Sequence, residues 1–344
     1  MKVISKENLL IFFEAIVALT KSGINLYETL VLIKQTNSKK EIRRLANVLI
    51  NSMQQGYTIS DALATVKNIP AFIIGALKAG EVSGKFDSIL ETIVNQLKME
   101  VEMTKTIKRV TLYPKFMIAT IIAALVVCLK FIFPTFIDMY SGQGAQLPWV
   151  TLMLISATNF VNNYYQWVAG IVILSIIAMI RLKKIIYIQK KIEWIKLKIP
   201  KVSYLYKIKQ NKDLANYMGL LLESGLQLGE AVEIFKDSTS SGMMKYILAQ
   251  SNMNMAQGKF LSDTLKDSPL IIPYMLEIIK IRENSGGLGQ ALLDIGKYLE
   301  SDYEIELRKN ISIIEPTLTL IIGLIVAGIA AAIMMPTIGL AITF

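Results

Sequence analysis

The chain has 344 residues, 53% of them hydrophobic and only 19% charged, with a mean hydropathy of +0.46 and a formal net charge of +10. That is more apolar than a water-soluble protein, so segments that cross a bilayer are expected, and the basic excess reads as topology and contact with anionic lipid rather than nucleic acid. There is no histidine and one cysteine, Cys128, which excludes Ser-His, Cys-His and His-metal chemistry, internal disulfides and multi-cysteine metal sites.

The N-terminal stretch MKVISKENLLIFFEAIVALTKSG is broken by Glu14 and followed by no small-residue cleavage site. It therefore reads as the first helix of a folded domain, not as a signal peptide. Apolar positions recur at helical spacing through FFEAIVALTKSG and stop at Gly23, a residue suited to end a helix. Asn25 with Glu28 has the pattern of a capping box for the next helix. Gly56 ends a third helix, Ser60-Asp61 reads as the cap of a fourth, and Gly84 sits in a turn before a long helix. Residues 1–112 are expected to form a cytoplasmic helical bundle.

The run 116–136 then has the length and apolarity of a transmembrane helix, with Lys130 near one end placed to snorkel to the interface. Residues 137–163 form an extracytoplasmic loop, and 164–181 a second, shorter crossing anchored by Tyr164 and Tyr165. Residues 181–212 hold eleven Lys or Arg against a single acid, Glu193, whereas 135–166 hold neither Lys nor Arg. Lys105, Lys108, Arg109 and Lys115 precede the first run. Positive flanks stay inside, so the first bundle and residues 182–315, a basic linker with a second bundle, are expected in the cytoplasm. The run 316–340 is the third crossing and leaves the tail, 341–344, outside.

A shift of 202 positions lays residues 1–142 on 203–344 without a gap. Ser22-Gly23 falls on Ser224-Gly225, Gly56 on Gly258, Glu81 on Glu283, Gly84 on Gly286 and Pro114 on Pro316. Identities concentrated at turn and cap residues mark an internal duplication. No sustained period-2 pattern appears, so the fold class is all-α: an integral membrane protein with two homologous cytoplasmic bundles and three transmembrane helices. The unduplicated piece, 135–181, supplies the crossing that returns the second copy to the cytoplasm.

Little of the chain suggests catalysis. GEVSGKFDS (80–88) superficially resembles a phosphate loop, but its glycine spacing is one residue short and Phe86 stands where Ser or Thr would hold Mg²⁺. Its counterpart GGLGQ (286–290) lacks even the lysine. Glu81, Glu91, Glu283 and Asp294 read as solvated faces or partner contacts rather than paired acid-base carboxylates. Gly323, Ala327, Gly328, Ala331 and Ala332 permit close helix packing in the third run. Pro114 and Pro316 read as first-turn prolines that shape the membrane helices. No cofactor or metal is expected.

Together the duplicated SG-x-x-L-x-E turn (22–28, 224–230), GEVSGKF with its echo RENSGGL (282–288), YPKF (113–116), LPWVT (147–151) and EPTL (315–318) resemble the inner-membrane platform family of type IV pilus and type II secretion machines, PilC/GspF, which includes competence pseudopilus members. The resemblance spans nearly the whole chain. It implies a non-enzymatic scaffold whose cytoplasmic bundles engage a hexameric assembly ATPase. Its membrane helices would handle pilin or pseudopilin subunits, beside other inner-membrane components, and self-association as a homodimer is expected. Many members carry an N-terminal extension before the first domain, whereas here the first helix begins almost at Met1. On the same footing, candidate contact or architectural residues are Ser22, Gly23, Gly56, Gly80, Glu81, Gly84, Phe86 and Pro114, with Ser224, Gly225, Gly258, Glu283, Gly286 and Pro316 in the second copy. A small secondary transporter or a membrane-tethered adaptor is the alternative. The transporter is disfavoured because most of the duplicated mass lies outside the apolar runs.

Overall fold

The computed structural model describes residues 4–132 and 186–342, with the single positions 134, 156, 170, 174 and 175. Among the described residues there are helices and no strands. The first copy contains α1 (Lys6–Lys21), α2 (Leu26–Thr36), α3 (Lys40–Gln54), α4 (Ile59–Ala64), α5 (Ala71–Ser83) and α6 (Phe86–Val127). A linking helix, α7 (Ile186–Lys198), precedes α8 (Pro200–Glu223), α9 (Leu228–Ser238), α10 (Gly242–Met255), α11 (Leu261–Leu265), α12 (Pro273–Ser285), α13 (Leu288–Ser312) and α14 (Ile314–Ile342). The starts of α2, α3, α4, α5 and α6 recur 202 residues later in α9, α10, α11, α12 and α13, so the duplication read in the sequence is one of structure.

Local chemistry sets the helix ends. After α1, Gly23 at φ +86° donates to the Thr20 carbonyl while Ile24 N–H reaches Leu19, a Schellman closure that satisfies two terminal carbonyls. Gly225 at φ +94° and Leu226 repeat it on Leu222 and Leu221. Ser22 and Ser224 return their hydroxyls to Ala18 and Leu220, at 2.9 and 2.7 Å. Asn25 does cap α2, its side chain accepting from Glu28 N–H at 2.9 Å.

Two sequence expectations are corrected. Ser60 and Asp61 lie within α4; the cap is Thr58, whose hydroxyl accepts from Asp61 N–H at 3.1 Å. The hydroxyl must precede the helix in extended backbone to reach the third N–H, which only Thr58 does. Pro114 is not in a first turn but deep inside α6, which continues past it. An apolar helix tolerates the missing N–H because its other backbone groups remain paired within the helix. Pro316 is the third residue of α14, where no intrahelical donor is lost, and Ile313 interrupts the helix just before it.

The chain forms two units, Met1–Thr106 with Ile186–Leu307, and Ile107–Ile185 with Arg308–Phe344. In the first, α1 buries Leu9, Leu10, Phe12, Phe13 and Ile16, and α6 buries Ile89, Leu90, Ile93, Leu97 and Val101 along one stripe. Each such side chain contributes about 1.5–3 kcal/mol on burial. Beyond Thr106 the stripe ends, and after Lys115 the helix carries no charged residue up to Val127: Phe116 and Ile122 are exposed there, which suits lipid rather than water. Among the described residues, α6 (Phe86–Val127) and the α13–α14 run Leu288–Ala331 are long and apolar enough to cross a membrane. A π-helical stretch, Cys128–Ile132, follows the first and holds Lys130. The expected second crossing, 164–181, and the loop 137–163 fall outside the described residues, isolated positions aside.

Candidate functional site

In the first unit the two copies meet through α5 of the first and α8–α9 of the second. The contact depends on Gly75: a Cβ there would lie 2.7 Å from Ile234 Cδ1. Beside it, Phe72, Tyr217 and Phe235 form a run of rings with centroids 4.6 and 5.7 Å apart. Such aromatic pairs add about 0.5–1.5 kcal/mol each beyond their buried area.

At Gly75 and Ile234 opens a cleft of about 540 Å³, lined on one side by Lys78, Val82 and Ser83 and on the other by Gly225, Gln227 and Glu230. Val82 is 85% exposed at its rim. The cleft joins the GEVSGKF segment of the first copy to the Ser-Gly turn of the second, elements 140 residues apart. Ser22-Gly23 and the RENSGGL segment do not line it. One ammonium faces carboxylates across an apolar floor, an arrangement suited to gripping a polypeptide surface rather than to bond-making chemistry.

The remaining sequence candidates have architectural contacts. Glu81 reaches across from α5 and accepts from Ile59 N–H at 2.7 Å, Ser60 N–H at 3.2 Å and the Ser60 hydroxyl at 2.5 Å. It thereby satisfies the free N–H groups at the start of α4. Glu283 does the same for α11, accepting from Leu261 N–H and, at 3.1 Å, from Ser262 N–H. Gly80 lets α5 approach α6, since a Cβ there would lie 2.8 Å from Ile89 Cδ1, and Phe86 opens α6. Gly84, Gly56 and Gly258 have φ of +71°, +80° and +81°, in the left-handed region that favours glycine, and Gly286 joins them at +82°.

The sequence reading missed a buried polar cluster where the copies meet. Glu100, 9% exposed, accepts from Tyr217 Oη at 2.6 Å, Lys6 Nζ at 2.5 Å and Gln96 Nε2 at 3.3 Å. Tyr217 belongs to the second copy, so this bond ties the copies together. Burial first and Glu100 second push the Tyr217 phenol far above its ordinary value, so it remains a donor. Nearby, burial opposes the charge of Lys212, but Asp213 at 3.5 Å and Glu300 outweigh it and raise its pKa. Glu300 is itself raised, chiefly by burial, and its Oε2 is buried without a hydrogen-bond partner. A signal existed: where α1 has Leu9 and Leu10, the second copy has Asn211 and Lys212, both buried. Asn211 is satisfied by donating to Lys207 and Leu270 carbonyls at 2.8 Å and accepting from Ile272 N–H at 3.3 Å. Among the described residues no group of three metal-ligating side chains converges.

Residues 12–134 and 214–336 each match the family described as type II secretion system (T2SS), protein F, two segments again offset by 202. The chain is similar to the type IV pilus assembly protein PilC of Thermus thermophilus, with 23% identity covering 96% of this chain and 82% of that protein. It is 24% identical to the protein transport protein HofC homolog of Escherichia coli, over 92% of this chain and 80% of that one. It is 21% identical to type II secretion system protein F of Vibrio cholerae, over 97% and 82%.

Proposed function

Because the chain belongs to the type II secretion system protein F family, we propose that it is the inner-membrane platform of a type IV pilus-like or type II secretion fibre machine. The observation that carries this reading is the family match in both copies, at the spacing at which the helices themselves recur. Relatives named for pilus assembly, protein transport and type II secretion, aligned over most of their length, support the same role. The two long apolar helices fit a membrane location. In this reading the chain crosses the inner membrane three times, N-terminus inside and C-terminus outside, and acts as a homodimer without enzymatic activity of its own.

Its cytoplasmic bundles would receive a hexameric assembly ATPase, and its membrane helices would move pilin or pseudopilin out of the bilayer. The cleft at Val82 is the surface assigned to the ATPase: it joins both copies, so force applied there reaches α6 and α13, the helices that lead into the apolar runs. The test is deletion with complementation, counting surface fibres by electron microscopy while blotting membrane pilin. Loss of fibres with pilin retained supports the platform role, and unchanged fibre numbers overturn it. A Val82→Glu chain that inserts normally, yet no longer co-purifies with the ATPase, would support the assigned surface. Retained co-purification would remove it.

A further inference from the structure

The segment with the densest positive charge, 181–212, is used neither by the cleft nor by the polar cluster until it reaches α8. Its helix α7 has a distinctive outward stripe. Lys191, Trp194, Ile195 and Lys198 recur at i, i+3, i+4 and i+7 and are all exposed, and Ile199, Lys201 and Val202 continue the exposed surface into α8. Trp194 is 54% exposed and Ile195 50%, large apolar surfaces that water does not favour. The Lys198 ammonium lies 3.6 Å from the Trp194 ring centroid, so cation and aromatic ring form one compact patch.

The single acid of the segment is turned away from this stripe. Glu193 is 5% exposed, and its carboxylate accepts from Gly242 and Met243 N–H, each at 2.9 Å, at the start of α10. That contact docks the inner face of α7 onto the second copy and leaves on the outer face tryptophan, isoleucine, valine and lysine. This is the composition of a helix seated at a lipid headgroup layer, with rings and aliphatic chains inserted and ammonium groups held at the phosphates. An acidic protein surface would satisfy the lysines. The bilayer is favoured by the short tether, which holds the tryptophan and aliphatic residues near the end of an apolar run. From Ile180, the end of the apolar run 165–180, to Ile186 is at most about 20 Å of extended chain, so α7 starts close to wherever that run ends.

We propose that the outward face of α7 and the first turn of α8 is a membrane-surface site that seats Trp194, Ile195 and Ile199 in the cytoplasmic headgroup layer of anionic phospholipid, with Lys191, Lys198 and Lys201 on its phosphates. The site rests on the reading that 164–181 spans the membrane. It holds the second copy against the bilayer through the Glu193 contact, independently of the spans.

The test uses the full chain in nanodiscs. The chain has three tryptophans, so Trp149→Phe with Trp167→Phe leaves Trp194 as sole reporter, and Trp149→Phe with Trp194→Phe leaves Trp167. Discs of phosphatidylglycerol or phosphatidylcholine carry lipid brominated near the top of the acyl chain. Trp194 should be quenched by bromine and shielded from acrylamide in phosphatidylglycerol. That quenching should be lost in the triple variant Lys191→Glu, Lys198→Glu, Lys201→Glu, whose thermal midpoint should stay unchanged. Trp194 open to acrylamide and untouched by bromine, with Trp167 quenched, overturns the surface site and leaves an acidic protein as occupant. If neither tryptophan is quenched, the spanning reading fails as well. Equal quenching of Trp194 in both lipids overturns the requirement for anionic headgroups.

Discussion

Tyr217→Phe removes one oxygen from the junction between the copies and little else. The ring keeps its place between Phe72 and Phe235, so no cavity forms, and the lost element is the 2.6 Å bond to Glu100. A hydrogen bond to a charged acceptor contributes about 1.5–3 kcal/mol. Lys6 and Gln96 still serve the carboxylate, so the expected loss is at the lower end, about 1.5–2 kcal/mol. For a unit of this size that corresponds to a fall of about 3–8 °C in the thermal midpoint. Unfolding of the detergent-solubilised full chain, followed by far-ultraviolet circular dichroism, reads it directly. Glu100→Gln and the double variant complete the cycle, and a coupling of about 1 kcal/mol or more is expected, since each single change breaks the same bond. Lys6 is about half exposed, so losing its partner adds little. If the two changes are additive within about 0.5 kcal/mol, the bond does not hold the copies together and the argument fails.

Three further outcomes follow from the same contacts. Glu81→Ala should unwind the start of α4, costing about 1–2 kcal/mol, with earlier hydrogen exchange at Ile59 and Ser60, and Glu283→Ala should do the same at Leu261 and Ser262; unchanged exchange at these amides would show that the carboxylates do not cap. Asn211→Leu, which restores the residue of the first copy, should destabilise by about 2–4 kcal/mol, because the Leu270 carbonyl and Ile272 N–H lose their buried partner; a midpoint equal to wild type would refute this. Glu300 has a folded pKa raised above its ordinary 4.5, so its contribution to stability is complete below that value and is lost as pH rises through the raised one. Glu300→Gln should therefore be more stable than wild type at neutral pH and lose that advantage in acid, and a midpoint difference flat with pH would contradict the assignment.

The duplication and the all-helical class were legible because they rest on local chemistry. Glycine at positive φ, Asn25 as a cap and the apolar stripes each act within a few residues, and a shift of 202 exposes them twice. The Ser60-Asp61 expectation failed because a cap is set by backbone conformation, and Thr58 is the residue held extended. The roles of Glu81 and Glu283 were not legible for a different reason: each reaches 21 or 22 residues back along the chain, and spacing alone does not show which N–H groups lie within reach. The junction was least visible. Glu100 and Tyr217 are 117 positions apart, and neither is matched in the other copy, where Asp302 and Ala15 stand. A search for shared residues discards such positions, whereas the substitution of Asn211 and Lys212 for two core leucines marks the place where the copies diverged.

That divergence limits what the junction can do. The contact is heterologous, α5 of one copy on α8–α9 of the other, and a heterologous contact that recurs builds open arrays. To recur here, α12 would take the part of α5, and α1–α2 that of α8–α9. Glu277 would then stand in place of Gly75, where even a Cβ comes within 2.7 Å of its neighbour, and Leu32 in place of Ile234. Ala15 would replace Tyr217 and Asp302 would replace Glu100, so both the ring and the phenol-to-carboxylate bond of the existing junction would be missing. A carboxylate forced against a leucine without a partner is strongly unfavourable. The contact therefore forms once and stops. Among the described residues, the α5 to α8–α9 junction carries the cleft that joins the GEVSGKF segment of one copy to the Ser-Gly turn of the other.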